Sequence, residues 1–235
     1  MNATIATSLF LAGIDEAGRG PLAGPVTAAC VCLPPKYKNK RICDSKQLSA
    51  QNRDELFGEI ADCALAFSAV SVGPKRIDRL NILAATKLAM CLAAARVTKL
   101  LQTRNTSAQV FFLIDGNASP ATTLHHDTII KGDQKILAIA AASIIAKVTR
   151  DRLMERLESF YPGYGFEEHK GYGTELHRSR IAEHGPCRAH RHSFAGVREF
   201  VPGYVESPFV QESLFAAAAA PRSERRTSPS SRPQR

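Results

Sequence analysis

Residues 13–26 read Gly13-Ile14-Asp15-Glu16-Ala17-Gly18-Arg19-Gly20-Pro21-Leu22-Ala23-Gly24-Pro25-Val26. An apolar run ends in two adjacent carboxylates and passes into a loop of glycine and proline. Neighbouring side chains on an extended strand point to opposite faces. Two acids side by side at a strand end are therefore costly unless a cation or a proton holds them. The glycines strip the backbone so that something bulky and anionic can approach, and Arg19 stands among them to meet it. Together these residues predict a metal-dependent reaction on a phosphate polymer.

Outward from this stretch, residues 8–15 and 26–33 are patterned as two strands joined by the loop. Ser49 is placed to cap a helix over 50–62. A strand over 64–72 stops at Gly73-Pro74, and a helix over 75–103 follows, with a break near Asn81. Val110-Phe111-Phe112-Leu113-Ile114-Asp115 reads as a fully buried strand ending in a carboxylate. Gly116-Asn117 turns the chain, and residues 128–131 suit a short strand. Gly132-Asp133 opens a helix over 134–159, apolar almost all round in its first half and hence central. Residues 161–173 read as loop and 174–184 as a short helix. The alternation predicts a layered α/β domain. An alanine run from Ala216 and a Ser/Pro/Arg stretch beyond it divide the chain into a domain over 1–215 and a basic disordered tail over 216–235.

The net charge of +9 and a pI near 9.5 favour a polyanionic partner. Part of the excess is local, because the last fifteen residues carry five arginines against Glu224. The tail would add nonspecific affinity through counterion release. Six cysteines with no C-x-x-C pair, in a chain too large to depend on disulfides, predict a reduced, cytoplasmic setting. No signal peptide is expected, for want of a basic start and a long apolar run before the acidic motif. Residues 136–146 are too few to span a membrane and contain Ser143. No coiled coil or sticky edge is visible, so a monomer is expected.

Asp15, Glu16, Asp115 and Asp133 each end an apolar strand or begin a helix. In a layered α/β domain such strand ends gather on one edge of the sheet. Four carboxylates there repel one another, and hard divalent ions such as Mg²⁺ relieve the repulsion. Two such ions can activate a water and stabilise the leaving oxygen of a phosphodiester. For Asp115 and Asp133 an ordinary turn and an ordinary helix cap remain open alternatives. Asp151 lies mid-helix and reads as a helix-face charge.

These residues resemble a known family. Residues 13–26, Asp44-Ser45-Lys46, Ile114-Asp115-Gly116, Lys131-Gly132-Asp133, residues 141–151 and His169-Lys170-Gly171-Tyr172-Gly173-Thr174 are similar, in this order, to the motifs of bacterial ribonuclease HII. The resemblance runs from about residue 10 to 200. It implies an RNase H-like α/β fold, a central mixed β-sheet flanked by helices with a small helical C-terminal portion. It implies a Mg²⁺- or Mn²⁺-dependent endoribonuclease, using two ions. Such an enzyme cuts the RNA strand of RNA–DNA hybrids and incises 5′ to single ribonucleotides in duplex DNA, leaving 5′-phosphate and 3′-hydroxyl ends. By position, Asp15, Glu16, Asp115 and Asp133 become the catalytic, metal-binding acids. Gly18, Arg19 and Gly20 become the loop that senses the 2′-hydroxyl, Tyr172 the residue stacking on the following deoxynucleotide, and Lys46 a phosphate contact.

Two other readings compete. A DNA-cutting nuclease would use the same acids but needs neither a 2′-hydroxyl sensor nor Tyr172. A basic nucleic-acid-binding protein would leave the acids as scattered caps, where they would repel the ligand. His184, Cys187, His190 and His192 fit no defensible zinc spacing. Packing or phosphate contact suits that segment better, with Arg188, Arg191 and Arg198.

Overall fold

The alternation Ala12-Gly13-Ile14-Asp15 divides the molecule in two. In the computed structural model, which describes residues 9–205 except 44, 46, 47, 118, 119 and 121–123, this segment lies in strand β1 (Leu9–Ala17). Ala12 and Ile14 enter one hydrophobic core, while the odd-numbered residues face the other side. The remaining strands are β2 (Val26–Cys32), β3 (Ala66–Val72), β4 (Gln109–Asp115) and β5 (His126–Ile129). They form one sheet in the order β3-β2-β1-β4-β5, so β1 is central. β2 runs antiparallel to β1 and β3, whereas β4 runs parallel to β1 and β5 parallel to β4. The expected mixed sheet is present.

Helices cover both faces. α2 (Pro74–Leu80) and α3 (Ile82–Arg104) lie on one side, where Ala85, Ala89, Ala93 and Ala94 of α3 pack against β1 and β2. The chain breaks between them at Asn81, as expected. Asn81 has φ 65°, its side chain accepts the Ala84 N–H at 3.0 Å, and the axes bend by 116°. α1 (Ala50–Cys63) and α4 (Leu137–Phe160) cover the other face, with Ala140, Ala141, Ile144 and Ile145 meeting Ala29 and Val31. Ser49 caps α1, its hydroxyl accepting the Asn52 N–H at 3.2 Å. Small residues let α4 approach closely. At Gly13 a Cβ would overlap the Ala138 carbonyl and the Ile139 nitrogen, so the first turn of α4 sits directly on β1.

Three expectations need correction. The helix expected over 134–159 begins later, at Leu137, because Gly132–Gln134 forms a separate 3-10 turn. A short helix α5 (Phe166–His169) lies within the segment read as loop, ahead of α6 (Glu175–His184). β5 spans His126–Ile129 rather than 128–131, because the ladder with β4 pairs Phe112 with His126 and Asp115 with Ile129. The division near residue 215 lies outside the described residues. No single helix among the described residues is long and apolar enough to cross a membrane.

Gly13→Ala should cost about 3 kcal/mol or more, because the new methyl must displace backbone rather than a flexible side chain. Gly58→Ala, on an exposed face of α1 with open space around it, should instead gain about 0.5–1 kcal/mol. Urea unfolding of the two variants checks both signs.

Candidate active site

The parallel ladder between β1 and β4 ends at Ile14 opposite Ile114, which sets Asp15 and Asp115 side by side as the next residues of neighbouring strands. Asp15 is 6% exposed. Its Oδ1 accepts the Glu16 N–H at 2.7 Å, and its side chain is also hydrogen-bonded to Ser143 of α4. Burial pushes the Asp15 carboxyl well above the usual carboxylate range, and the charges of Glu16 and Asp115 push the same way. The Ser143 hydrogen bond opposes the shift without cancelling it. Glu16 pairs with Arg19 at 3.3 Å.

Asp115 has a second task. Its Oδ1 accepts the Gly132 N–H at 2.7 Å, fastening the 3-10 turn that carries Asp133. A Cβ at Gly132 would lie 2.5 Å from Ile139 Cδ1, so the turn is also pressed against α4. Asp133 is buried there. It is not the N-cap of α4, a position held by Ile136 without any side-chain cap bond. The cap alternative for Asp133 is thereby removed, while Asp115 does brace a turn. The structure thus brings Asp15, Glu16 and Asp115 into mutual electrostatic range and ties Asp133 to Asp115 through the Gly132 backbone. Among the described residues no three or more Asp, Glu, His or Cys side chains converge as a ready-made metal cage. The donor chemistry still fits a hard divalent ion: all donors are carboxylate oxygens, and burial disfavours the charge on Asp15, which a cation would offset. Mg²⁺ typically takes only one or two protein carboxylates and fills its shell with water and phosphate.

The loop over 18–25 is fastened from two sides. Arg150 of α4, 1% exposed, donates from Nε to the Pro25 carbonyl at 2.9 Å and from Nη2 to the Ala23 carbonyl at 3.2 Å. Arg191, fully buried, donates to the carbonyls of Gly24 (3.0 Å), Arg19 (2.8 Å) and Gly18 (2.5 Å). Burial, and secondly the Arg150 charge, lowers the Arg191 guanidinium to about 9. Gly18 has φ +90°, and a Cβ there would run into the Arg150 side chain. Gly20 instead has open space where its Cβ would stand, and the Arg19 side chain is half exposed. The loop thus turns one face to the buried arginines and the other to solvent.

Tyr172 lies beside this loop. Leu22 N–H donates to the Gly171 carbonyl at 2.8 Å, and Arg150 Cζ sits 5.8 Å from the Tyr172 ring centroid. Tyr172 is 47% exposed. Gly18, Arg19, Gly20 and Tyr172 are accordingly neighbours through Arg150, Arg191 and Leu22. Lys46 lies outside the described residues. Asp151 pairs with Lys147 at 2.8 Å along α4, a helix-face charge that is partly buried rather than exposed. Arg191 packs inside and is unavailable to phosphate, which resolves that residue's two alternatives in favour of packing.

Ser143, Arg150 and Arg191 were not read from the sequence as parts of the site. Each carries a faint signal in retrospect. Ser143 interrupts an otherwise apolar helix run, and its hydroxyl joins Ser45 at 2.9 Å as well as Asp15. Arg150 and Arg191 look like ordinary members of basic clusters, and only the fold reveals their burial.

A family profile described as ribonuclease HII matches residues 12–197. The ribonuclease HII of Geobacter metallireducens is 49% identical over 191 residues, covering 81% of this chain and 86% of the relative. Among solved structures, the ribonuclease H2 of Pyrococcus horikoshii has a TM-score of 0.65 at 24% identity, covering 81% of this chain and 96% of its own. Bst-RNase HIII in complex with Mn²⁺ has a TM-score of 0.63 at 16% identity, covering 83% and 70%. The two structural likenesses speak for the fold.

Because the folded Asp15 carboxyl titrates above its ordinary value of 3.8, its contribution to stability is whole below that pH and falls as pH rises through the folded value. Asp15→Asn should therefore raise the Tm of metal-free protein at pH 7, since the amide still accepts from Glu16 N–H and Ser143. Mg²⁺ should raise the Tm of the wild type and not of the variant. Calorimetry in EDTA and in Mg²⁺ tests both, and a lower Tm for Asp15→Asn in EDTA would contradict the assignment of strain to this carboxylate.

Proposed function

The chain belongs to the ribonuclease HII family, and from that membership we propose how its residues share the work of cutting. The protein is an endonuclease that cleaves RNA in RNA–DNA hybrids, and the family implies a divalent metal cofactor. The finer reading is incision 5′ to a ribonucleotide, including one embedded in duplex DNA, with 5′-phosphate and 3′-hydroxyl products. The observation that carries it is the joint between the loop over 18–25 and Tyr172, set at the end of the strand bearing Asp15 and Glu16.

Asp15, Glu16, Asp115 and Asp133 would hold Mg²⁺ or Mn²⁺, two ions in the fullest form of the reading. Bound there, the ions supply charge neutralisation at the scissile phosphate and a water of lowered pKa. The chain supplies position. Gly18, Arg19 and Gly20 present a backbone that close-packs on the minor groove, where the 2′-hydroxyl marks RNA. Carbonyls clamped by Arg191 cannot shift to accommodate a wrong sugar. Tyr172 offers a flat apolar face to the next sugar and disfavours a 2′-hydroxyl there, which would be desolvated without a partner. Lys46 contacts phosphate. A monomer acting in the cytoplasm, with its catalytic unit within 1–215 and a basic tail over 216–235 adding salt-sensitive affinity, completes the reading.

The test is cleavage of a labelled DNA duplex carrying one ribonucleotide, with Mg²⁺, Mn²⁺ or EDTA, beside an all-DNA control. Nicking 5′ to the ribonucleotide, absent in EDTA and absent from the control, is expected. Cutting of both duplexes would favour the DNA-nuclease reading instead. Asp15→Asn and Asp133→Asn should each lower the rate by more than about 100-fold, beyond the range usual for residues that only support ligands. Near wild-type turnover by either variant would remove that residue from the site. Deleting residues 216–235 should flatten the dependence of binding on salt.

A further inference from the structure

Three buried or half-buried histidines stand between the C-terminal segment and the loop carrying Tyr172, and their hydrogen bonds admit one assignment of protons. Cys187 N–H donates to His190 Nδ1 at 3.0 Å, so the proton of a neutral His190 ring sits on Nε2. His190 Nε2 lies 3.0 Å from His177 Nε2, which must then accept, leaving the His177 proton on Nδ1. That Nδ1–H donates to the Tyr172 carbonyl at 2.9 Å. His169 obeys the same logic: Gly171 N–H donates to its Nδ1 at 3.1 Å, and its Nε2–H donates to the Tyr164 carbonyl at 2.8 Å. The His169 and His177 rings stack with centroids 4.3 Å apart.

We propose that the His177–His190 pair is a positioning device for Tyr172. It forms a neutral, one-directional relay from the Cys187 backbone to the Tyr172 carbonyl, and it sets how strictly the enzyme demands DNA after the ribonucleotide. The proposal rests on the reading of Tyr172 given above. Tyr172 is half exposed, and the backbone from which its ring projects is held at both peptide groups. Tyr172 N–H donates to the His169 carbonyl at 2.9 Å, and its carbonyl accepts from Thr174 N–H at 2.8 Å as well as from His177. The relay is the part of this bracing that reaches the distant segment over 187–191, whose Arg191 clamps the sensor loop. One element thus aligns both readers of the junction.

Protonation would break the relay, because a doubly protonated His177 would present a donor to the donor of His190. Burial chiefly keeps His177 neutral, at about 4, with the charges of His169 and Arg178 acting the same way against the hydrogen bonds to Tyr172 and Gly171. Burial, then His177, then His192 and His169, hold His190 at about 3. His184 completes the surround, edge-on to Tyr164, which itself packs edge-on to His190. The stability that the neutral pair contributes is whole above pH 6.5 and is lost as pH falls toward 4.

The experiment compares kcat/KM on a duplex with one ribonucleotide against kcat/KM on a uniform RNA–DNA hybrid, for wild type, Tyr172→Ala, His177→Leu and His177→Asn. Imidazole ¹⁵N NMR of the wild type accompanies it. Tyr172→Ala should lower the ratio, His177→Leu should lower it in the same direction by about 10-fold, in the range of outer supporting residues, and His177→Asn, which keeps a donor near Nδ1, should recover most of it. The spectra should show His177 protonated on Nδ1 and His190 on Nε2, unchanged from pH 8 to 5.5. If Tyr172→Ala lowers the ratio and folded His177→Leu does not, the positioning role is wrong and the reading of Tyr172 stands. If Tyr172→Ala leaves the ratio unchanged, that reading falls and the relay's role falls with it. Should His177→Leu not fold, the tautomers and the asparagine variant decide. Reversed tautomers, or titration near 6.5, overturn the proposal.

Discussion

Two buried guanidiniums hold the loop on which the rest of the site depends. Arg150 and Arg191 direct five hydrogen bonds into the carbonyls of Gly18, Arg19, Ala23, Gly24 and Pro25. Loops are normally solvated because their carbonyls need partners. Here a planar fork of donors, which only arginine offers, replaces the water. The cost is two like charges in the interior, visible in the lowered Arg191 guanidinium. Asp78 of α2 offsets part of it, and its carboxylate also takes the N–H groups of His192 and Ser193, so the segment that delivers Arg191 is itself tied down.

A complementary arrangement of opposite sign lies at the neighbouring strand end. Asp15 is buried with Glu16 and Asp115 nearby, and Ser143 alone among the side chains bonded to it lowers the cost of its charge. Gly13 makes this geometry possible by admitting the first turn of α4 against β1, and Gly132 does the same for the turn carrying Asp133. A close approach of two backbones at Gly13, and of backbone to the Ile139 side chain at Gly132, sets the spacing of the acids.

The strands, the capped helix after Ser49, the break at Asn81 and the candidate acids were legible because each carries a local signal: alternation, a capping side chain, or a charge at the end of an apolar run. The 3-10 turn at Gly132–Gln134 was not, because it exists through the Asp115 carboxylate and Ile139, partners distant in sequence. α5 was hidden for a similar reason. Its four residues are held by the stack of Phe166 on Tyr164 and by Glu158, which accepts the Phe166 N–H at 2.6 Å. Arg150 and Arg191 show the limit most clearly. A buried arginine and a solvated one look alike in a basic chain, and only tertiary contacts separate them. The membership of the family was legible from the order of the motifs, not from any one of them.

The clamp also orders events in time. The Arg191–Gly18 hydrogen bond joins residues 173 positions apart. All four candidate acids have been synthesised by residue 133, and the central strand has its parallel partner by residue 115. In the loop over 18–25, Arg150 reaches the Ala23 and Pro25 carbonyls first, and the Gly18, Arg19 and Gly24 carbonyls gain their Arg191 partner only when residue 191 emerges and folds back. Contacts of such separation form late, because the chain between them must be ordered first. A growing chain therefore carries its four candidate acids before the last fastener of the neighbouring loop.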